Sequence, residues 1–277
     1  MQAATLNGVT LHYQTIGAEP GRPLLAFVNS LGTDSRIWRD VIVRLVGEAG
    51  IVTYDKRGHG LSGLGEPPYA MEDHVADLAA LLDHLGGRAA VIVGLSVGGM
   101  IAQGLAVARP DLVAGLVLCD TGMTIADADT WNARIAAVDA NGMAGIADAT
   151  MERWFTDAYR RVEPDMLALW RTMLVRQPAR GYAGTCAAIR DADLRATTPT
   201  IDAPALCLVG DDDRATPPTL VRDLARAIPG ARFEVVKGAG HLPCIERAPV
   251  MAEMIRAFLP LAAPPTSPLM GEAEGTA

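Results

Sequence analysis

The stretch AAVIVGLSVGGM, from Ala89 to Met100, constrains this chain more than any other. Its first half is an unbroken apolar run rich in Val and Ile, the pattern of a strand buried on both faces. It runs directly into Gly94-Leu95-Ser96-Val97-Gly98 and then into a helical pattern, so it spells strand, tight turn and helix. A G-x-S-x-G in that context places the serine on a strained strand-to-helix turn with its hydroxyl exposed, and the glycines give the clearance such a turn needs.

Similar apolar runs recur on both sides of this stretch. PLLAFVNS, GIVTYD, LVAGLVLCD, PALCLVGD and ARFEVVKG read as strands, and Thr5 to Gly17 has the alternation and central Asn7-Gly8 of a hairpin. Helical patterns separate them: IWRDVIVRLV, then MEDHVADLAALLDHLGG with Val75, Leu78, Leu82 and Leu85 on one face, then VGGMIAQGLAVARP, TLVRDLARAI and VMAEMIRAFL. Strands alternating with helices predict βαβ crossovers and an α/β fold with a mostly parallel, doubly wound sheet. From residue 123 to 200 the alternation stops and every pattern is helical, so we expect a core made of 1–122 and 201–262 with a helical insertion over one edge of the sheet. Residues 263–277, rich in Pro, Gly and small residues, are expected to be a disordered tail.

The chain has 277 residues, half of them hydrophobic, enough for a full globular body. A net charge of −8 and the lack of a dense Lys/Arg run argue against a nucleic-acid partner. Cys119, Cys186, Cys207 and Cys244 are far apart, without metal-ligand spacing, and read as buried free thiols; no metal or cofactor is expected. The start lacks a basic and apolar leader and no long apolar run occurs, so the expectation is a cytoplasmic chain without a membrane partner.

A serine hydroxyl is a weak nucleophile near neutral pH. A histidine must take its proton, and a carboxylate must hold that histidine in the right tautomer. Of the five histidines, His12 lies in the hairpin, His74 and His84 on an amphipathic helix, and His59 in YDKRGHGLS. His241, on a glycine-flanked loop after the last strand, alone follows a suitable acid in the order Ser, Asp, His. That acid lies in GDDDRATPP, which leaves Asp211, Asp212 and Asp213 open.

In PLLAFVNSLGT, YDKRGHGLS, GLSVGGMIAQ, LVGDDDRATPP and GAGHLPCIE the chain resembles α/β-hydrolase fold proteins, from about residue 5 to 260. The insertion, 123–200, then corresponds to that family's helical cap. More narrowly, NSLGTDSRIW, WNARIAAV, ERWFT and GYAGTCAAIRDADLR look like 3-oxoadipate enol-lactonases of the β-ketoadipate pathway. In the family the acid falls in G-x-x-D-x-x-x-P after the seventh core strand, which places it at Asp213. Physics agrees that one aspartate alone is chosen, because more than one turned toward His241 would bury like charges together.

The resemblance also implies an oxyanion hole from the N–H groups of Val97, after the nucleophile, and Leu31 in NSLG, where most relatives carry His-Gly. Ser30 either faces substrate or holds its own turn. The implied substrate is a small anionic lactone, and Arg134, Arg190 and Trp131 in the cap segments are the candidates to bind it. A carboxylesterase or a C–C bond hydrolase would share the triad and differ in the cap, and a cofactor-free haloperoxidase shares the fold. A haloalkane dehalogenase needs Asp in place of Ser96, and a non-catalytic ligand sensor would have no use for an intact triad. Oligomeric state is left open.

Overall fold

The computed structural model describes residues 1–19 and 22–262; the expected tail, 263–277, lies outside them. Eight strands form one sheet: β1 (Gln2–Leu6), β2 (Val9–Ile16), β3 (Leu24–Val28), β4 (Gly50–Tyr54), β5 (Ala90–Leu95), β6 (Val113–Cys119), β7 (Ala205–Gly210) and β8 (Arg232–Val236). Their spatial order is β1-β2-β4-β3-β5-β6-β7-β8. The β1–β2 hairpin is antiparallel and turns at Asn7 and Gly8, both at positive φ (48° and 76°), as a two-residue primed turn requires. From β4 to β8 every pairing is parallel.

All residues of β3, β4, β5 and β7 are buried, which is why their sequences are apolar without alternation. Each Val, Ile or Leu so placed contributes about 1.5–3 kcal/mol. The crossovers are made by α1 (Arg39–Leu45), α2 (Met71–His84), α3 (Val97–Ala108) and α9 (Pro218–Ala227). From β3 the chain steps one way to β4 and then back past β3 to β5, so right-handed crossovers put α1 on the face opposite α2 and α3. After the short α10 (Pro243–Glu246), the closing helix α11 (Ala248–Ala262) packs with α1, and α2 packs with α3. This reversal leaves a crevice outside the carboxyl ends of β3 and β5, the place where open α/β sheets bind ligands.

Between β6 and β7 come α4 (Ala128–Asn141), α5 (Ala147–Trp154), α6 (Asp157–Val162), α7 (Pro164–Val175) and α8 (Ala179–Asp191). The expectation that they cover an edge of the sheet needs correction. They stand over the carboxyl ends of the strands: a side chain at Gly32, after β3, would strike Leu174 and Tyr182, and one at Gly58, after β4, would strike Gly181. Glycine at these points lets helices and loops close on each other. Helix α6, in TDAYRRV, buries no residue and so carries no apolar stripe by which the sequence could announce it. Among the described residues no helix is long and apolar enough to cross a membrane.

Candidate active site

Ser96 caps α3 with φ 58° and ψ −119°, strained for a residue with a side chain. The turn is held from both sides: Ser96 N–H donates to the Cys119 carbonyl (2.9 Å) and the Thr121 hydroxyl to the Ser96 carbonyl (2.7 Å). A side chain at Gly94 would run into the Gly98 carbonyl, and one at Gly98 into that of Val28. Both glycines of the motif are thus required by backbone crossing, as expected from the sequence.

His241 and Asp213 meet after β8 and β7. His241 Nδ1 lies 2.9 Å from Asp213 Oδ2, with both residues buried. Asp213 Oδ1 accepts the N–H groups of Ala215 (2.8 Å) and Thr216 (3.1 Å), and the Thr216 hydroxyl donates to Oδ2 at 2.5 Å. Burial alone would raise the Asp213 pKa, but His241 and these donors outweigh it and hold the carboxyl below its ordinary value. An ionised carboxylate only accepts, so the imidazole proton sits on Nδ1 and leaves Nε2 as the acceptor. The other two aspartates do different work: Asp211 Oδ1 accepts from Gly238 and Ala239 N–H (2.7 and 3.2 Å), and Asp212 pairs on the surface with Arg214.

Behind this pair, at the end of β6, Asp120 takes φ 48° and accepts the Gly210 N–H at 2.9 Å, while its Oδ2 has no partner among the described residues. Burial, and then the charge of Asp213, push its pKa well up. Asp120, Asp213 and His241 are the one group among the described residues whose ligand-type atoms lie close enough to hold a metal, within 4.8 Å, but Asp213 and His241 present two of those atoms to each other.

The loop after β3 is pinned from beneath. Asn29 donates to the Tyr54 carbonyl and accepts from Trp38 Nε1, and Gly32 N–H donates to His59 Nε2 at 3.1 Å. Burial first, and then the Lys56 charge, keep the His59 pKa well down, so a neutral ring whose Nδ1 faces the Arg57 carbonyl serves the loop. His12 on Asp55, His74 beside Thr185, and His84 against Tyr13 are likewise held in the framework. Neither the Leu31 nor the Val97 N–H donates to another group of the described residues.

Ser96 and His241 open into a narrow cavity lined also by Ser30, Leu31, Trp131, Arg134, Arg153, Trp154, Tyr182 and Thr216. Two larger clefts, one beside Trp170 and Arg176 and one along Val75 and Gly104, do not reach either residue. Of the expected substrate-binding residues, Ser30, Trp131 and Arg134 are here, with Arg134 stacked 5.0 Å over the Trp131 ring. The Ser30 hydroxyl bonds to no described residue; its turn is held instead through its carbonyl, by Thr33.

Arg190 is not in the cavity. Helix α8 turns Tyr182, Cys186 and Ile189 inward, and the next residue points about 100° away. There Arg190 pairs with Asp191 (2.7 Å) and Asn132 (2.9 Å). Arg153 takes the inner place that the sequence reading left unassigned. On α5, beside the buried Trp154, it donates among the described residues only to the Thr150 hydroxyl (3.2 Å), and burial, then the like charge of Arg134, lower its pKa. Its signal was an arginine inside ERWFT, one turn after buried Thr150. Glu246, in GAGHLPCIE, was also missed: it accepts from Thr156 N–H and hydroxyl and from Gly240 N–H, tying the His241 loop to the helices above.

A serine on a strained turn, a histidine held by an ionised aspartate and free backbone donors above can carry out acyl transfer. The chain is similar to known proteins over nearly its whole length. The chain is 32% identical over 255 residues, 92% of its length and 95% of the relative's, to 3-oxoadipate enol-lactonase 2 of Acinetobacter baylyi. The solved enol-lactonase from Burkholderia xenovorans LB400 superposes with TM-score 0.91 at 37% identity, covering 94% of this chain and all of that one. A thermophilic esterase from Thermogutta terrifontis, with malate bound, gives TM-score 0.88 at 28% identity over 95% and 99% of the two chains. The model of the alpha/beta hydrolase family matches residues 25–254, and the chain therefore belongs to the alpha/beta hydrolase family.

Proposed function

We propose that this hydrolase opens the ring of 3-oxoadipate enol-lactone, a small lactone bearing a free carboxylate, as a step of aromatic-compound degradation. The observation that carries the reading is the pair Arg134 and Arg153, which line the same cavity as Ser96 and His241 with no described carboxylate paired to either. In a chain of net charge −8, two unneutralised guanidinium groups beside the nucleophile suit an anionic substrate. Similarity to enol-lactonases supports the choice of lactone.

In this reading helices α4 to α8 act as a cap, and the arginines hold the substrate carboxylate with the lactone carbonyl over Ser96. Ser96 Oγ attacks that carbon while His241 Nε2 takes its proton and Asp213 stabilises the imidazolium. The N–H groups of Leu31 and Val97 receive the tetrahedral oxyanion. Collapse breaks the ring C–O bond as His241 passes its proton to the leaving oxygen, and the enol so formed, still tethered to the acyl-serine, tautomerises to the ketone, so the leaving group needs little further assistance. Water, deprotonated by His241, then cleaves the acyl-serine and frees the second carboxylate.

The test is turnover of enol-lactone generated in situ. A kcat/KM above about 10⁴ M⁻¹s⁻¹, far above that for an aryl acetate without a carboxylate, is the expected result. Fast cleavage of the aryl acetate with no turnover of the lactone makes the chain an esterase instead. Stoichiometric binding without turnover makes it a sensor.

A further inference from the structure

Lys56 follows β4 and is 1% exposed. A buried ammonium is costly unless something uses its charge. Among the described residues it makes no ion pair, and its hydrogen bond goes from Nζ to the Ser30 carbonyl, at 2.6 Å. The same carbonyl accepts from the Thr33 hydroxyl (2.8 Å) and the Thr33 N–H (3.3 Å). That carbonyl and the Leu31 N–H are the two ends of one peptide group. A cation donating to the oxygen of an amide withdraws electron density from its nitrogen and makes the N–H a stronger donor.

We propose that Lys56 is a positioning residue for the oxyanion hole: held on the Ser30 carbonyl, its charge fixes the plane of the Ser30–Leu31 peptide and polarises the Leu31 N–H toward the developing oxyanion. The inference rests on the reading above that this N–H meets the oxyanion. It explains why the loop is fastened at so many points, since a preorganised donor has no reorganisation cost during reaction. Burial draws the Lys56 pKa down to about 7, against the fields of Asp55 and Asp34, which favour the charged form. His59 and His74, whose pKa values are kept well down by burial and then by Lys56 itself, are the titratable neighbours on the adjoining loop and on α2.

The experiment compares Lys56→Gln, which keeps a donor and drops the charge, with Lys56→Met. Each is assayed on the enol-lactone and with a carboxylate-bearing trifluoromethyl ketone, whose carbonyl carbon takes up Ser96 Oγ as a hemiketal oxyanion while the serine proton passes to His241. Lys56→Gln should lower kcat about tenfold with KM within about twofold, weaken the ketone by the same factor as kcat, and leave the melting temperature near wild type. Lys56→Met should lose more. A folded Lys56→Gln with wild-type kcat and ketone affinity overturns the proposal. Should neither variant fold, the Leu31 amide proton decides, followed by NMR between about pH 5.5 and 10 in His241→Gln, where the catalytic imidazole is absent. Upfield movement as Lys56 loses its proton supports the proposal and an unmoved signal overturns it. Full activity in Ser96→Ala would instead overturn the underlying serine mechanism, so the two failures are told apart.

Discussion

Asp213 Oδ2 lies 2.9 Å from His241 Nδ1, whereas Asp211, two residues earlier in the same run, binds the amides of Gly238 and Ala239. Three adjacent carboxylates therefore have three environments. Asp213→Asn should lower kcat by about 10³- to 10⁴-fold, through loss of the tautomer and of the imidazolium's counter-charge. Asp212→Asn, on the surface with Arg214, should stay within about twofold of wild type. Equal losses in the two variants, measured on enol-lactone, would remove Asp213 from the triad.

The two cavity arginines should separate from the surface one by substrate charge. Charge-assisted hydrogen bonds are worth about 1.5–3 kcal/mol, so Arg153→Met and Arg134→Met should each weaken kcat/KM on the anionic lactone by about 10- to 100-fold. On a neutral aryl acetate the change should be small. Arg190→Met should alter neither, since that side chain is bound to Asp191 and Asn132 outside the cavity.

Asp120 makes a prediction about pH and stability. Its folded pKa is raised, so its favourable contribution is complete below the unfolded value of about 3.9 and declines as pH rises toward the folded value. Asn accepts the Gly210 N–H equally well and tolerates positive φ. Thermal melts of Asp120→Asn and wild type should coincide near pH 4, with the variant gaining as pH rises to 7. A constant difference across that range would show that Asp120 does not titrate as its surroundings require.

Glu246 joins the histidine loop to Thr156. Glu246→Ala would strand buried donors on Thr156 and Gly240, at a cost of about 3 kcal/mol in denaturant unfolding. Because the Gly240 amide precedes His241, kcat should fall as well. Glu246→Gln, which keeps the Oε1 acceptor, should recover most of both.

Strands, crossover helices and the Ser96 elbow were legible in the residues because their signals are local. An apolar run, a 3.6-residue period and two glycines around a serine are properties of neighbours along the chain. Asp213 and His241 could be narrowed down by chain order and family pattern for the same reason, as both sit at the ends of recognisable strands. Arg190 and Arg153 looked alike as arginines in helical segments, and only the rotation of α8 and α5 decided which faced Ser96. Lys56 under Ser30, Thr216 against Asp213 and Glu246 beneath Thr156 carry no periodic mark. What the sequence by itself determined is the sheet, the elbow and the order of Ser96, Asp213 and His241 along the chain. Which charges face the cavity was decided by tertiary structure, because loops after β3, β6, β7 and β8 and the helices above them converge there from distant parts of the chain.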